Sequence, residues 1–396
     1  MAAKQRLWEL DAMRGLMLVL MAFTHLPTAF AGPMGQPFGY VSAAEGFVLL
    51  SAFMAGKVYT SRAQKQGENA MRDALYKRVL KIYACQVALF VFLLSVVALI
   101  GVLTHQEAIE RLVGFYLERP FTALFAGLVL VYSPPLLDIL PLYVLFMLAS
   151  PLLLLHALHR GWGGILAGSL ALWFLAQFDL GRAVYDTINH VIPIPVPFQQ
   201  TGSFEIFGWQ FLWVFGLWMG SRKTLAPAEA TPHLPPWLVR TAIVYALVCF
   251  VARHVVGQIP VMGAPSSVPL NAMFDKWHLG PLRLLGTFAL LILVLRFAPA
   301  LRKLPRIAAL ETMGTASLPV FCAHLVLALM AIALFGEQRP DRPIHIDVLI
   351  IVISFAILYG VAWVSQMLDS QAAALAGKVS ARRLAARSPG SGAGGS

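Results

Sequence analysis

The chain has 396 residues, of which 59% are hydrophobic and only 12% are charged, and its formal net charge is +11. A soluble domain has roughly twice that charged fraction, about 25%, so the composition excludes a soluble globular enzyme. The three cysteines, Cys85, Cys249 and Cys322, are scattered through apolar runs. We therefore expect neither a disulfide framework nor a metal cluster.

Apolar runs of about twenty residues recur along the chain, and each can cross roughly 30 Å of hydrocarbon. We therefore predict an all-α fold, a polytopic transmembrane helical bundle. The predicted spans, about ten in number, are residues 12–31, 39–60, 79–104, 137–158, 162–180, 203–221, 238–256, 279–298, 315–335 and 347–368. A shorter apolar run, 121–133, is predicted to be a half-helix or a re-entrant segment.

The distribution of Lys and Arg predicts the orientation of this bundle. If the N-terminus is cytoplasmic, the inner loops of the predicted helices hold more than twice as many basic residues as the outer loops. The positive-inside rule then favours both termini in the cytoplasm. We expect one membrane domain, residues 1–370, and a basic, Ser/Gly-rich cytoplasmic tail, residues 371–396, with a disordered end. The net charge therefore indicates topology rather than nucleic-acid binding.

The first predicted span contains ionisable residues. Arg14 and His25 are eleven residues apart, which is three helical turns plus about 20°, so they share a face and lie about 16 Å apart along the axis. Asp11 can pair with Arg14 at a spacing of three, and Pro27 is expected to kink the helix just above the histidine. Ionisable groups at membrane depth usually face a cavity or a relay. A snorkelling arginine and a packing histidine are the alternatives.

The second predicted span contributes Glu45, which is expected at a depth similar to that of His25. A carboxylate beside a histidine can orient the ring and stabilise its charged form. A neutral imidazole can accept a proton from a hydroxyl group and later return it. Glu45 and His25 are thus candidate catalytic residues. A purely structural Glu–Arg or Glu–His pair is the alternative for Glu45.

The inner end of the third span reads "YKRVLKIY". Arg78 and Lys81 are three residues apart there, and together with Arg14 they could bind anionic phosphates. Topogenic charge or contact with lipid phosphates is the alternative. No residue cluster predicts a metal site.

Four later positions are weaker candidates. The motif "DKWHLGPLRLL" places Lys276 and Arg283 at the outer start of a span. His324 lies in "ASLPVFCAHL", and Tyr143 follows "DILP". A lone buried histidine is more often a packing residue, and a tyrosine at a span end can belong to an aromatic belt.

Together these residues resemble a known family. The spacing of Arg14 and His25 is similar to the R-x10-H hallmark of the acyltransferase-three superfamily of integral membrane acyltransferases. More specifically, the chain resembles the OpgC family, known for succinylating osmoregulated periplasmic glucans. The motifs that carry the resemblance occur in family order across residues 6–370: "LDAMRG", "AAEGFVLLSAFMAGKVY", "DILPLYVLFMLASP", "LGPLRLL" and "GTASLPVFCAHL".

The resemblance implies a multi-pass protein of the bacterial inner membrane. It implies acyl-CoA as the cytoplasmic donor, a glucan hydroxyl as the outer acceptor and no permanently bound cofactor. His25 matches the family's essential histidine and Arg14 its motif arginine. The superfamily's R-x-x-R is met by Arg78 and Lys81, and a lysine there keeps the charge but loses the bidentate fork. The superfamily's "FFVLSG" reads "FVLLSA" here, with Ala52 in place of the glycine.

We therefore predict a membrane-bound O-acyltransferase. The pantetheine arm of CoA is comparable in length to the ~16 Å rise between Arg14 and His25. A succinyl donor would need a cation for its free carboxylate, and Lys276 or Arg283 are the candidates, with His324 and Tyr143 as further substrate contacts. Acetyl transfer and a homodimer remain open.

A transporter or flippase is the alternative function. In that case Arg14, His25 and Glu45 would form a proton relay. The absence of paired repeats with matched broken helices in the sequence disfavours it. A non-catalytic membrane scaffold would leave a histidine at that depth unexplained.

Overall fold

The computed structural model describes residues 8–226, 234–255, 257, 269–338 and 341–387, and the side chains of these residues except 373 and 376–387. In this part of the chain every regular element is helical. The helices are α1 (Trp8–His25), α2 (Ala31–Gly35), α3 (Ala43–Gln66), α4 (Glu68–Phe92), α5 (Ala98–Leu103), α6 (Glu107–Glu118), α7 (Pro120–Leu128), α8 (Ile139–Arg160), α9 (Gly163–Ala176), α10 (Leu180–Val191), α11 (Ile206–Leu225), α12 (Pro236–Val255), α13 (Pro269–Phe274), α14 (Pro281–Leu301), α15 (Ala308–Thr315), α16 (Ser317–Phe335) and α17 (Ile344–Arg387). A π-helical turn, Leu93–Val97, joins α4 to α5, and a 3-10 turn covers Phe198–Gln200.

Six helical stretches among the described residues are long and apolar enough to cross a membrane. They are Glu68–Leu103, Ile139–Arg160, Pro236–Val255, Pro281–Leu301, Ser317–Phe335 and Ile344–Ala372. Helices α9 and α10 are together also long and apolar enough to cross a membrane, but they are bent by 81° at the break between them. The part of the chain that the structure describes therefore contains six candidate membrane spans, or up to seven if the bent pair is one, as expected of a helical membrane protein.

Every segment predicted to span coincides with a helix, but the count of about ten is not confirmed. Helices α1, α3 and α11 are 18, 24 and 20 residues long, yet they do not meet the apolarity criterion. They pack mainly against protein, α3 along α11 and α1 along α15. Polar and ionisable residues of membrane helices usually face the bundle interior or a cavity, so a helix packed among others can carry them. The ten spans and the location of the termini stay predictions.

Glycines bring the central helices into backbone contact. A Cβ atom added to Gly220 of α11 would lie 2.0 Å from the Phe53 carbonyl oxygen of α3, and one on Gly216 would lie 2.6 Å from the Cβ of Ala52. On α15, a Cβ on Gly314 would lie 1.7 Å from the Asp11 carbonyl oxygen of α1. Small residues of this kind are typical of close helix pairs in membranes. Ala52, the departure from the superfamily pattern, fits because its partner is Gly216.

The predicted kink at Pro27 is wrong, because α1 ends at His25. A proline disfavours helical backbone at the preceding residue, here Leu26, so the chain leaves the helix instead of bending it. The segment after the helix is fixed by α17 and the turn before it. Arg342 Nη1 donates a hydrogen bond of 2.6 Å to the Pro27 carbonyl, and the Ala29 amide donates one of 2.8 Å to Asp347 Oδ2. His25 thus stands at an immobilised helix end.

The remaining segment predictions fall on short elements. The apolar run 121–133 forms α7, which is too short to span on its own. Residues 181–202, which connect the predicted spans 162–180 and 203–221, form most of α10 and a 3-10 turn. Residues 254–278, which connect the predicted spans 238–256 and 279–298, contain α13, although residues 256 and 258–268 lie outside the described residues. The predicted disordered end of the tail, residues 388–396, also lies outside them.

Candidate active site

A cavity of about 230 Å³ lies at the His25 end of α1, and we call it the His25 cavity. Its walls come from α1, from the start of α3, from the residues just before α8 and α11, and from the loop before α14. Its polar and aromatic lining residues are Thr24, His25, Ser42, Asp138, Ser203, Phe204, Lys276, Trp277 and Phe321. Cavities with apolar walls and a few convergent polar groups are typical of small-ligand sites.

A second, smaller cavity of about 20 Å³ lies at Arg14, and we call it the Arg14 cavity. Arg14 and Arg78 bring two guanidinium groups into its lining, and its other polar lining residues are Ser51, Tyr143 and Ser317. Arg14 Nη2 donates a hydrogen bond to Ser317 Oγ. The Arg14 Nη1 atom is 3.8 Å from Asp11 Oδ1, so the predicted pair of Asp11 and Arg14 is confirmed.

The two cavities follow one another along α1. Ile139 of α8 and Phe321 of α16 line both of them. The Phe321 ring stacks on Phe47 with centroids 5.6 Å apart. A side chain that forms part of both walls can divide the space or, by rotating, join it. Arg14 and His25 therefore line two neighbouring cavities that are separated by shared wall residues.

The ring of His25 is held by His324. Its Nδ1 atom lies 3.1 Å from Nε2 of His324, which is buried on α16. The two rings are within 15° of coplanar and their centroids are 5.3 Å apart. That separation is close to the N···N distance plus the two ring radii, so the rings meet edge to edge in a hydrogen bond. The Nε2 atom of His25 remains for a ligand in the cavity.

The structure corrects the expectation that Glu45 orients His25. The Oε1 atom of Glu45 accepts a 2.6 Å hydrogen bond from Arg283 Nη1, and Oε2 accepts from the Ser42 amide at 3.0 Å and the Ser42 hydroxyl at 2.5 Å. Glu45 and Arg283 have side chains that are 0% and 2% exposed. The structural Glu–Arg pair, the alternative considered for Glu45, is therefore what the fold contains.

A capping box explains where the Glu45 side chain goes. Ser42 precedes α3 and Glu45 is the third residue of the helix, and their side chains and backbones bond reciprocally. This arrangement satisfies backbone amides that the first helical turn leaves without partners. The sequence "SAAE" carries that signal, so the position of the carboxylate was open to prediction. Arg283 is likewise committed, because its Nε atom donates to the Phe274 carbonyl at 3.0 Å.

Lys276 brings a positive charge into the His25 cavity. Its Nζ atom lies 5.0 Å from the centroid of Trp277 and 5.6 Å from that of Phe204, and among the described residues it has no ion pair. Burial lowers the pKa of Lys276; Glu45 and Asp138 oppose that shift, and Arg283 adds to it. A desolvated ammonium group with incomplete compensation favours the binding of an anion.

Hydrogen bonds from Trp209 and Gln177 hold the backbone of the loop that carries Lys276. The Trp209 indole Nε1 donates to the carbonyls of Lys276 and Trp277 at 3.1 and 3.0 Å. Gln177 Nε2 donates to the His278 carbonyl at 3.0 Å. The Lys276 ammonium group and the Trp277 ring are therefore presented by a segment whose backbone is held by hydrogen bonds, which lowers the cost of ordering them on binding.

The other predicted site residues separate into three locations. Arg78 lines the Arg14 cavity, whereas Lys81 is exposed and absent from its lining, so the two do not form one clamp there. Tyr143 lines the Arg14 cavity and packs edge-on against Trp213 at 4.9 Å; it is not at the His25 cavity. His324 and Arg283 lie behind the cavity wall.

Sequence reasoning missed Asp138 as a site residue. It precedes α8 and lines the His25 cavity, where its Oδ2 accepts a hydrogen bond from the Ser203 amide at 3.1 Å. Burial raises the pKa of Asp138, although the bonds from Ser203 oppose that shift. The available signal was an isolated acidic residue in "SPPLLDILP", between two apolar runs.

Comparison with protein families decides the family. The family model for the OpgC protein matches residues 6–370, nearly the whole chain. The chain belongs to the OpgC family. The sequence resemblance is thereby confirmed, and OpgC membership indicates a membrane acyltransferase that modifies glucans. No curated protein and no solved structure matches the chain.

Proposed function

We propose that this OpgC-family protein, in the bacterial inner membrane, transfers an acyl group from cytoplasmic acyl-CoA to a hydroxyl group of a periplasmic glucan. The observation that carries the proposal is the pair of cavities along α1, one with two guanidinium groups and one with His25. A donor that carries phosphates at one end and a thioester at the other matches this separation of the guanidinium groups from the His25 imidazole.

The phosphates of CoA bind at the Arg14 end. Arg14 and Arg78 both line that cavity, and guanidinium groups bind phosphate oxygens by charge-assisted, often bidentate hydrogen bonds. The exposed ammonium group of Lys81 adds attraction near this end without contacting the cavity. The pantetheine arm then runs along α1 past Phe321, whose ring turns aside, and presents the thioester to His25.

The chemistry takes place in the His25 cavity. Nε2 of His25 accepts the proton of a glucan hydroxyl while its oxygen attacks the thioester carbonyl. The new C–O bond forms the ester, the C–S bond breaks, and His25 returns the proton to the thiolate of CoA. The polar side chains of Asp138 and Ser42 line the same cavity and can bind other sugar hydroxyls, while Trp277 and Phe204 pack against the sugar ring.

We propose succinyl as the acyl group. A succinyl thioester ends in a free carboxylate, and Lys276 is the cation that the described residues supply to the cavity of His25. Arg283, the other candidate, is engaged by Glu45. Acetyl-CoA has no carboxylate and would leave the Lys276 ammonium without a partner, so succinyl is favoured over acetyl.

The transporter alternative is less well supported. A proton relay through Arg14, His25 and Glu45 needs a carboxylate that exchanges protons with the histidine. The ion pair between Glu45 and Arg283 holds that carboxylate instead, and the hydrogen-bond partner of His25 is His324.

Label transfer by the purified protein tests this function. Protein in lipid nanodiscs is incubated with radiolabelled succinyl-CoA and a periplasmic glucan preparation. We expect labelled glucan from the native chain and at least a roughly 100-fold slower rate from His25→Ala, as for the loss of a general base. His159→Ala is the matched control, because His159 is exposed and pairs with Glu68. Equal transfer by His25→Ala, or glucan movement without labelling, would overturn the proposal.

A further inference from the structure

The contact between His25 and His324 constrains the position of hydrogen atoms. A neutral imidazole carries one N–H donor and one acceptor nitrogen. The edge-to-edge geometry joins Nδ1 of His25 to Nε2 of His324 at 3.1 Å, so one of these two nitrogens donates and the other accepts. The choice decides whether Nε2 of His25 offers the cavity a lone pair or an N–H group.

We propose that His324 is a positioning residue that accepts the hydrogen bond of His25 Nδ1 and thereby holds His25 in the tautomer of a general base. This inference rests on the proposed function, which needs the lone pair on Nε2. His324 then carries its own hydrogen on Nδ1. It touches neither substrate in this scheme and acts through the ring of His25.

No described carboxylate competes for this role. Glu45 is bound to Arg283 and Ser42, and the Oδ2 atom of Asp138 accepts from the Ser203 amide. Neither histidine ring has a hydrogen bond to a carboxylate among the described residues. Many catalytic histidines are oriented by an aspartate that also stabilises the charged ring. A neutral acceptor orients the ring with less stabilisation of its charge, so His25 returns the proton to the thiolate more readily.

The position of His324 is itself determined by packing. Its ring meets the Phe321 ring edge-on with centroids 4.8 Å apart, and both residues lie on α16. Phe321 in turn lines both cavities. A side chain of similar size at position 324 can fill this space, which separates a packing role from a hydrogen-bonding role.

Two substitutions of His324 distinguish these roles. His324→Phe fills the volume but offers no acceptor, whereas His324→Gln offers an amide oxygen to His25 Nδ1. We expect His324→Phe to lower kcat for label transfer by about 100-fold with KM unchanged, because the base tautomer is no longer fixed. The kcat of His324→Gln should be about tenfold higher than that of His324→Phe. Native activity in His324→Phe, or equal loss in both variants, would overturn the proposal.

The tautomer can also be read directly in the native protein. Nitrogen-15 spectra of histidine-labelled protein in nanodiscs, assigned with His25→Ala, should show His25 protonated at Nδ1 and not at Nε2. The opposite pattern overturns the role of His324 even if the variants fail to fold. Absence of label transfer by the native chain would instead contradict the proposed function, so the two failures are distinguishable.

Discussion

The contacts of Glu45 and His324 differ from those that the sequence suggested, because Glu45 pairs with Arg283 and it is His324 that contacts His25. Both are polar residues in apolar helices, and the sequence correctly marks both as unusual. Their partners are far away in the sequence. Glu45 and Arg283 are 238 positions apart, and His25 and His324 are 299 positions apart. Spacing along one helix reveals a shared face, as for Arg14 and His25, but not the residue that faces it.

The ion pair of Glu45 and Arg283 is expected to support the fold rather than the chemistry. Glu45→Gln leaves Arg283 as an uncompensated buried charge, which typically costs about 3–5 kcal/mol. We expect a clear fall in the thermal unfolding temperature of the detergent-solubilised protein. The double variant Glu45→Gln/Arg283→Met should recover much of it, because no buried charge is left alone. Unchanged stability with lost transfer would return Glu45 to a catalytic role.

Lys276 is expected to determine which acyl donor is used. Lys276→Gln removes the charge from the His25 cavity but keeps a polar side chain of similar length. The KM for succinyl-CoA should rise by about tenfold, since a charge-assisted hydrogen bond contributes about 1.5–3 kcal/mol. Transfer from acetyl-CoA should change little. Competition between the two donors in one reaction measures the ratio, and an unchanged ratio would remove Lys276 from donor recognition.

At the scale of elements, the central helices α1, α3 and α11 pack closely at glycines, and they are less apolar than the six candidate spans. Helices α1 and α3 contribute residues to both cavities, and α11 packs along α3, so polar residues on these three helices can face protein instead of lipid. A hydropathy pattern identifies a helix that faces lipid, such as α14 or α17, more readily than a central one. Prolines and capping boxes mark helix ends in the local sequence, whereas the local sequence does not reveal which helices pack together.

The contact of α3 with α11 should not tolerate a side chain at Gly220. Gly220→Ala places a methyl group 2.0 Å from the Phe53 carbonyl, so the helices must separate at a cost of about 1–3 kcal/mol. Gly168→Ala on α9 is the control, because a Cβ there meets nothing within 4 Å. We expect Gly220→Ala to lower the unfolding temperature and Gly168→Ala not to lower it. Equal behaviour of the two variants would contradict the close packing.

The stability that the loop before α14 gives the fold should depend on pH, because this loop contains Asp275 and His278. His278 bonds to Asp275 at 2.7 Å and to Asp179 at 3.1 Å. The hydrogen bond that His278 donates to Asp275 raises the pKa of His278 above 6.5, against the effect of burial and with further help from the charges of Asp275, Asp179 and Glu205. Burial alone would raise the pKa of Asp275, but its bonds with His278 hold it below 3.8.

The sign of the pH effect follows from these shifts. The stabilisation by His278 is complete below pH 6.5 and is lost as the pH rises through its raised pKa. The stabilisation by Asp275 is complete above pH 3.8 and is lost as the pH falls through its lowered pKa. We expect the unfolding temperature of the native chain to fall relative to that of His278→Asn as the pH rises above 6.5. Parallel curves for the two proteins would contradict this coupling.

At the scale of the whole molecule, composition alone predicts the class of fold, and the ordered motifs predict the family. The separation of His25 from Arg14 along the axis also follows from one helix. The cavities could not be predicted in this way, because their walls come from α1, α3, α8 and α16 and from three loops. Asp138 and Ser203 meet only once the chain has folded.

The central claim is that donor and acceptor reach His25 from opposite sides of the membrane. Proteoliposomes with glucan sealed inside and radiolabelled succinyl-CoA added outside test it, because the charged donor does not cross the bilayer. The account predicts labelled glucan in the lumen with the native chain and none with His25→Ala. Label on glucan only when both substrates share one compartment would contradict it.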